Sequence, residues 1–142
     1  MVTPKDCMTK YGDPNDKKVQ SKWMTIWDVP EELEIGVIPK RIYCNKDLIG
    51  PLEKAFRNLI EQGCVGELKT WDGCFNIRKM RGLNSMSLHS WAIALDVNAF
   101  ENGLGKEPKL SKKFVKCFTD AGFDWGGGWT RKDGMHFQLS TI

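Results

Sequence analysis

The sequence holds two histidines, His89 and His136, and each has a carboxylate near it in the chain. His89 stands seven residues before Asp96, and Asp133 stands three residues before His136. Two imidazoles with one carboxylate are a common zinc ligand set, and they leave a fourth position open for water, as hydrolytic zinc sites require. Asp96 falls within Ala92-Ile93-Ala94-Leu95-Asp96-Val97-Asn98, where Ile93, Leu95 and Val97 alternate with smaller or polar residues as in a half-buried strand. An odd separation would put His89 and Asp96 on opposite faces of one continuous strand. His89 is therefore predicted in the loop before the strand, folded back so that both side chains reach one ion. Ala92 and Ala94 would leave room there for a substrate. The competing reading is a histidine on a strand that is only surface-exposed or hydrogen-bonded, and an Asp133-Gly134 pair that only makes a turn.

Such residues need a folded scaffold, and the composition supplies one. The chain has 142 residues, 41% hydrophobic and 27% charged, with 21 Lys and Arg against 18 Asp and Glu for a net charge of +3. These values exclude a disordered or low-complexity chain and suit a single core. No apolar run approaches the roughly 20 residues of a membrane helix. The basic residues are spread out, without the aromatic-laced basic stripe of a nucleic-acid binder, so neither membrane insertion nor nucleic-acid binding is expected. Met1 to Asp6 lack a basic-then-apolar segment, so synthesis in a cytoplasm without a secretory signal is expected. The five cysteines contain no Cys-x-x-Cys pair, which argues against a cysteine-built zinc knuckle and for buried free thiols.

Residues 1–40 show no sustained period and are expected to form an irregular arm that packs Trp23, Ile26 and Trp27 on the core. From Asp47 to Gln62 apolar residues recur at helical spacing, with Pro51 in the first turn and Gly63 as the stop. A second helix is predicted after Ser111, turning Phe114, Val115 and Phe118 inward and ending at Gly122. Glu67–Trp71 and Cys74–Met80 flank Asp72-Gly73, a hairpin signal. Met135, Phe137 and Leu139 alternate with His136 and Gln138 in a last strand. Helices and hairpin-type strands in this order predict an α+β domain, an antiparallel sheet packed against a few helices. Arg78, Asp96 and His136 then lie on the faces turned away from the core, available to one groove.

Two segments carry a family resemblance. Ser87-Leu88-His89-Ser90-Trp91-Ala92-Ile93-Ala94-Leu95-Asp96 resembles the Ser-x-His-x-x-Gly-x-Ala-x-Asp motif of the VanY-type D-alanyl-D-alanine carboxypeptidases. Asp133-Gly134-Met135-His136-Phe137-Gln138 is similar to their second motif, and more so to that of phage endolysins acting as L-alanyl-D-glutamate endopeptidases. Gly122 to Trp129 matches the Gly-aromatic-x-Trp-Gly-Gly segment that precedes it. The resemblance, from about Asp72 to Leu139, implies the hedgehog/DD-peptidase fold over a catalytic domain at 41–142. It implies one zinc ion held by His89, Asp96 and His136, with Asp133 as general base. An upstream arginine contacting the substrate carbonyl is implied too, Arg78 by position and facing or Arg81 next. Ser87, Trp129 and Gln138 are candidate substrate contacts. Trp125 and Trp129 either wall the groove or pack, and Gly126-Gly127-Gly128 reads as a tight connection. Ala92 stands where the family commonly has Gly, a position where Ala pays for a positive φ.

The function so implied is that of a monomeric zinc peptidase cutting the peptidoglycan stem peptide. An endolysin cleaving L-Ala–D-Glu, with release to the wall by a route such as a holin lesion, is the favoured form. A D-alanyl-D-alanine carboxypeptidase is the enzymatic alternative, and a zinc-containing wall-binding module without catalysis is the other.

Overall fold

Capping side chains decide where the helices begin. The computed structural model describes residues 1–142 and runs α1 (Pro4–Lys10), α2 (Lys17–Trp23), β1 (Met24–Asp28), β2 (Arg41–Asn45), α3 (Lys46–Glu61), β3 (Trp71–Gly73), β4 (Ala94–Val97), α4 (Lys112–Thr119), β5 (Phe123–Trp125) and β6 (His136–Leu139). Ser111 accepts from the Phe114 N–H and starts α4 as expected, while Asn45 accepts from the Asp47 N–H and starts α3 upstream of the predicted turn. Pro51 therefore lies inside α3 rather than in its first turn. Gly63, at φ 69°, ends that helix in the left-handed region open to glycine.

The first forty residues are not an irregular arm. Thr3 and Asp6 form a reciprocal capping box on α1, and Asp16 caps α2. Each of these helices is seven residues long, too short to display a period in the sequence. Strand β1 pairs antiparallel with β2, Trp27 opposite Ile42, so the pairing crosses the boundary expected at residue 40. Trp27 is buried and stacks on Phe56 of α3, and Trp23 packs on the core, but Ile26 is 61% exposed. Alternation in a strand sends Ile26 to the face opposite Trp27.

A second sheet carries the order β3-β4-β6-β5, antiparallel throughout. This is the α+β architecture that the sequence patterning predicts. Leu95 pairs with Phe137 across β4 and β6, and Phe137 stacks on Phe118 of α4 at 4.4 Å between ring centroids. Phe114, Phe118, Leu95, Val97 and Phe137 are all fully inaccessible.

The Asp72-Gly73 hairpin does not form. Asp72 instead accepts hydrogen bonds from the Ala99 N–H and the Thr70 hydroxyl, which ties β3 to the end of β4. The segment after Cys74 pairs with the residues around His89: Asn76 N–H donates to the His89 carbonyl and Ser87 N–H to the Arg78 carbonyl. The reversal lies between Lys79 and Met86, which form a bridge, and Gly82 supplies a positive φ of 74° within it.

Candidate metal centre

Cross-strand register places two of the candidate ligands side by side. Asp96 of β4 is the direct partner of His136 of β6, on the sheet face opposite Leu95 and Phe137. His89 comes from the short 3-10 turn Leu88–Trp91, capped by Ser87, whose hydroxyl accepts from the His89 N–H. Ala92 ends that turn in the left-handed conformation and returns the chain into β4. His89 thus sits in the connection before the strand and folds back over Asp96.

The three side chains meet. One ligand atom from each of His89, Asp96 and His136 lies within 4.8 Å of the others. His89 Nε2 is 3.2 Å from Asp96 Oδ2, and His136 Nδ1 is 3.4 Å from Asp96 Oδ1. Both distances are close to the ~3.3 Å that separates neighbouring ligands of a tetrahedral zinc with bonds of about 2.05 Å.

Hydrogen bonds on the far side of each ring set which nitrogen points inward. His89 Nδ1 lies 2.7 Å from the Cys74 carbonyl, which can only accept, so Nδ1 carries the proton and Nε2 presents a lone pair. His136 Nε2 lies 2.9 Å from Gln138 Oε1, which leaves Nδ1 facing Asp96. Partners of this kind orient the ligands of metal sites. His89 Nε2 and Asp96 Oδ1 are buried and have no hydrogen-bond partner. A lone pair and a carboxylate oxygen left unpaired in one cluster away from water call for a cation. The donor set and these two orphaned atoms fit a zinc ion.

The electrostatics agree. Burial alone would raise the Asp96 carboxyl, yet the imidazoles of His136 and His89 against it hold it well below the ordinary carboxylate range. Burial disfavours a charged His136, but the Asp96 carboxylate outweighs it and raises that imidazole. Both shifts express a demand for positive charge between the groups.

Asp133 stands beside the three without joining them, its Oδ2 3.9 Å from His136 Nδ1. Burial raises its carboxyl above the usual value, and Asp96 adds to the rise against the pull of His136. Its backbone is fixed by the glycine run: Asp133 N–H donates to the Gly126 carbonyl, and a Cβ on Gly126 would come within 2.5 Å of the Asp133 carbonyl oxygen. Trp125 packs, donating to the Gly134 carbonyl and stacking on Phe137, whereas Trp129 leans on His136 at the cleft wall.

A cleft of about 400 Å³ opens over these groups. Ser87, Gln138, Trp129 and Asp133 line it together with the three candidate ligands. Gln138 is 4% exposed and engaged with His136. Arg78 and Arg81 both border the cleft. The Arg78 backbone is pinned by Ser90, whose hydroxyl accepts from its N–H, while its guanidinium is exposed and reaches the Lys79 carbonyl. Arg131, which the sequence patterning does not single out, donates to the Arg81 carbonyl across the cleft mouth. The Cys74 carbonyl was also hidden from pattern reading, because a backbone acceptor has no residue signature.

Residues 81–139 match the protein family described as D-alanyl-D-alanine carboxypeptidase. The matched segment contains His89, Asp96, Asp133 and His136 and stops short of Arg78. No curated protein and no solved structure gives a significant match to the chain. With the His89–Asp96–His136 group, the match supports a zinc-dependent metallopeptidase.

Proposed function

We propose that this protein is a zinc-dependent peptidoglycan peptidase of the endolysin type, which cleaves the stem peptide between L-Ala and a D-Glu-type residue. The observation that carries the reading is the convergence of two inward-facing imidazole nitrogens on Asp96, with His89 Nε2 and Asp96 Oδ1 left without partners. Zinc held by His89, Asp96 and His136 supplies a Lewis acid and a water acidified to a pKa of about 7.

The remaining roles belong to the chain. Asp133, half-buried beside the ligands and with a raised pKa, takes a proton from the attacking water as oxygen bonds to the scissile carbonyl carbon. It returns that proton to the amine as the carbon–nitrogen bond breaks. Arg78 steadies the negative charge that grows on the carbonyl oxygen, with Arg81 on the same wall as the substitute. Gln138 keeps the His136 ring oriented. Trp129 and Ser87 offer the substrate an apolar wall and a polar edge.

Digestion of purified peptidoglycan tests this. New D-Glu amino termini are expected, absent after chelation and regained with zinc. The family match favours a second reading, a D-alanyl-D-alanine carboxypeptidase, whose product is free D-Ala. Zinc-loaded protein that turns over no wall substrate would leave only a binding module.

A further inference from the structure

The turn that delivers His89 is conformationally unfavourable, and a residue outside the cleft grips it. Ala92 adopts φ 53° and ψ 36°, a region where a Cβ crowds the following carbonyl. It is fully buried, and its N–H closes the turn onto the His89 carbonyl at 3.0 Å. Asn45, at the junction of β2 and α3, is likewise fully buried. Its side-chain oxygen accepts from the Asp47 N–H at 2.9 Å and caps α3. Its side-chain nitrogen donates to the Trp91 carbonyl at 3.1 Å, and its backbone N–H donates to the Ala92 carbonyl at 3.2 Å. The carbonyls on both sides of the left-handed peptide are thus held by one residue.

Capping alone does not need an asparagine. Serine or aspartate accepts from a helix N–H equally well, but neither has an amide N–H to extend to Trp91. The second function of this side chain is therefore directed at the ligand turn. At the start of the same turn the Cys74 carbonyl holds His89 Nδ1, so the imidazole is anchored as well as the peptides that follow it.

We infer that Asn45 is a positioning residue for the zinc ligand His89: its amide holds the Trp91–Ala92 peptide in the left-handed geometry that aims Nε2 at Asp96. This rests on the zinc reading above. With glycine at position 92 the geometry would be freely available and the grip dispensable.

Zinc affinity of the full chain, read by competition with a chromophoric chelator, tests the inference. Asn45→Ser keeps the α3 cap and is expected to bind zinc about tenfold to a hundredfold more weakly than wild type. Adding Ala92→Gly to that variant is expected to restore most of the lost affinity, and the visible spectrum of the cobalt-substituted protein should shift and return in parallel. Asn45→Asp, isosteric with the native side chain, gives the same comparison where the serine variant is too unstable to titrate. Variants that melt earlier but bind zinc like wild type would overturn the inference, since Asn45 would then only cap α3. A double variant no better than Asn45→Ser would overturn it as well. Wild-type protein with no affinity for zinc would instead defeat the functional reading itself.

Discussion

His136 and Phe137 are neighbours in β6, nearly inaccessible both, and they serve opposite faces of one sheet. On the Phe137 side the contacts are many and undirected: Phe118 and Trp125 stack on it, Phe114 tilts against it, and Leu95 pairs beside it. On the His136 side they are few and aimed: Gln138 at one nitrogen, Asp96 at the other. The apolar face gains free energy with each buried atom. The polar face loses some, because its unpaired buried atoms each cost about 1–3 kcal/mol until a cation arrives. The two faces should therefore fail separately, one in stability and the other in binding and turnover.

The sharpest test of that separation is Asp133→Ala. Turnover on wall peptide should fall by roughly a hundredfold to ten-thousandfold, while bound zinc, measured by atomic absorption, stays at the wild-type level. Loss of metal together with activity would make Asp133 a ligand and redraw the site. Phe118→Ala probes the other face: unfolding free energy should drop by about 3–5 kcal/mol in urea titrations. Zinc affinity well below the new transition should not move, and a parallel loss of affinity would show that the faces are coupled.

Arg78→Ala belongs to the cleft wall and should cost about 3 kcal/mol in turnover with zinc content and melting temperature unchanged. If the rate persists, Arg81→Ala is the variant that should lose it. Zinc itself bridges the comparison, since binding only the folded chain stabilises it by about 2.7 kcal/mol when free metal is a hundred times Kd. Calorimetry with and without chelator reads that shift, and a metal-independent melting curve would deny the site.

A last effect, confined to alkaline pH, lies with the buried thiols. Burial pushes Cys7 and Cys44 from 9.0 up to about 12 in the folded chain. A group raised on folding contributes its stability below the unfolded value and loses it as pH climbs toward the folded one. The urea midpoint should then be level around neutrality and decline between about pH 9 and about pH 12. A midpoint that holds across that window would place these thiols in contact with water.

How much of this could be read from the chain differs by region. Alternation around Leu95 and Phe137 and the helical spacing of Leu48, Leu52, Phe56 and Leu59 report burial directly, because a strand or helix turns its side chains at a fixed period. Residue type and spacing put His89, Asp96 and His136 forward as one group, and their ligand atoms do converge within 4.8 Å; a role for Asp133 came only from the family resemblance. The Asp72-Gly73 turn misled because a carboxylate that suits a tight turn also suits a distant N–H, and Ala99 took it. The N-terminal helices were too short to print a period, and their caps, Thr3 and Asp16, are residue types that occur in any loop.

Local pattern thus determined which side chains face inward and which residue types could share an ion, since both follow from covalent chemistry and backbone period. Only the tertiary structure decided which nitrogen of each imidazole points at Asp96, that Asn45 grips the Ala92 turn, and that Arg131 spans the cleft mouth. Those outcomes depend on hydrogen bonds between groups far apart in the chain. A backbone carbonyl or amide carries no mark in the sequence of the partner it will find.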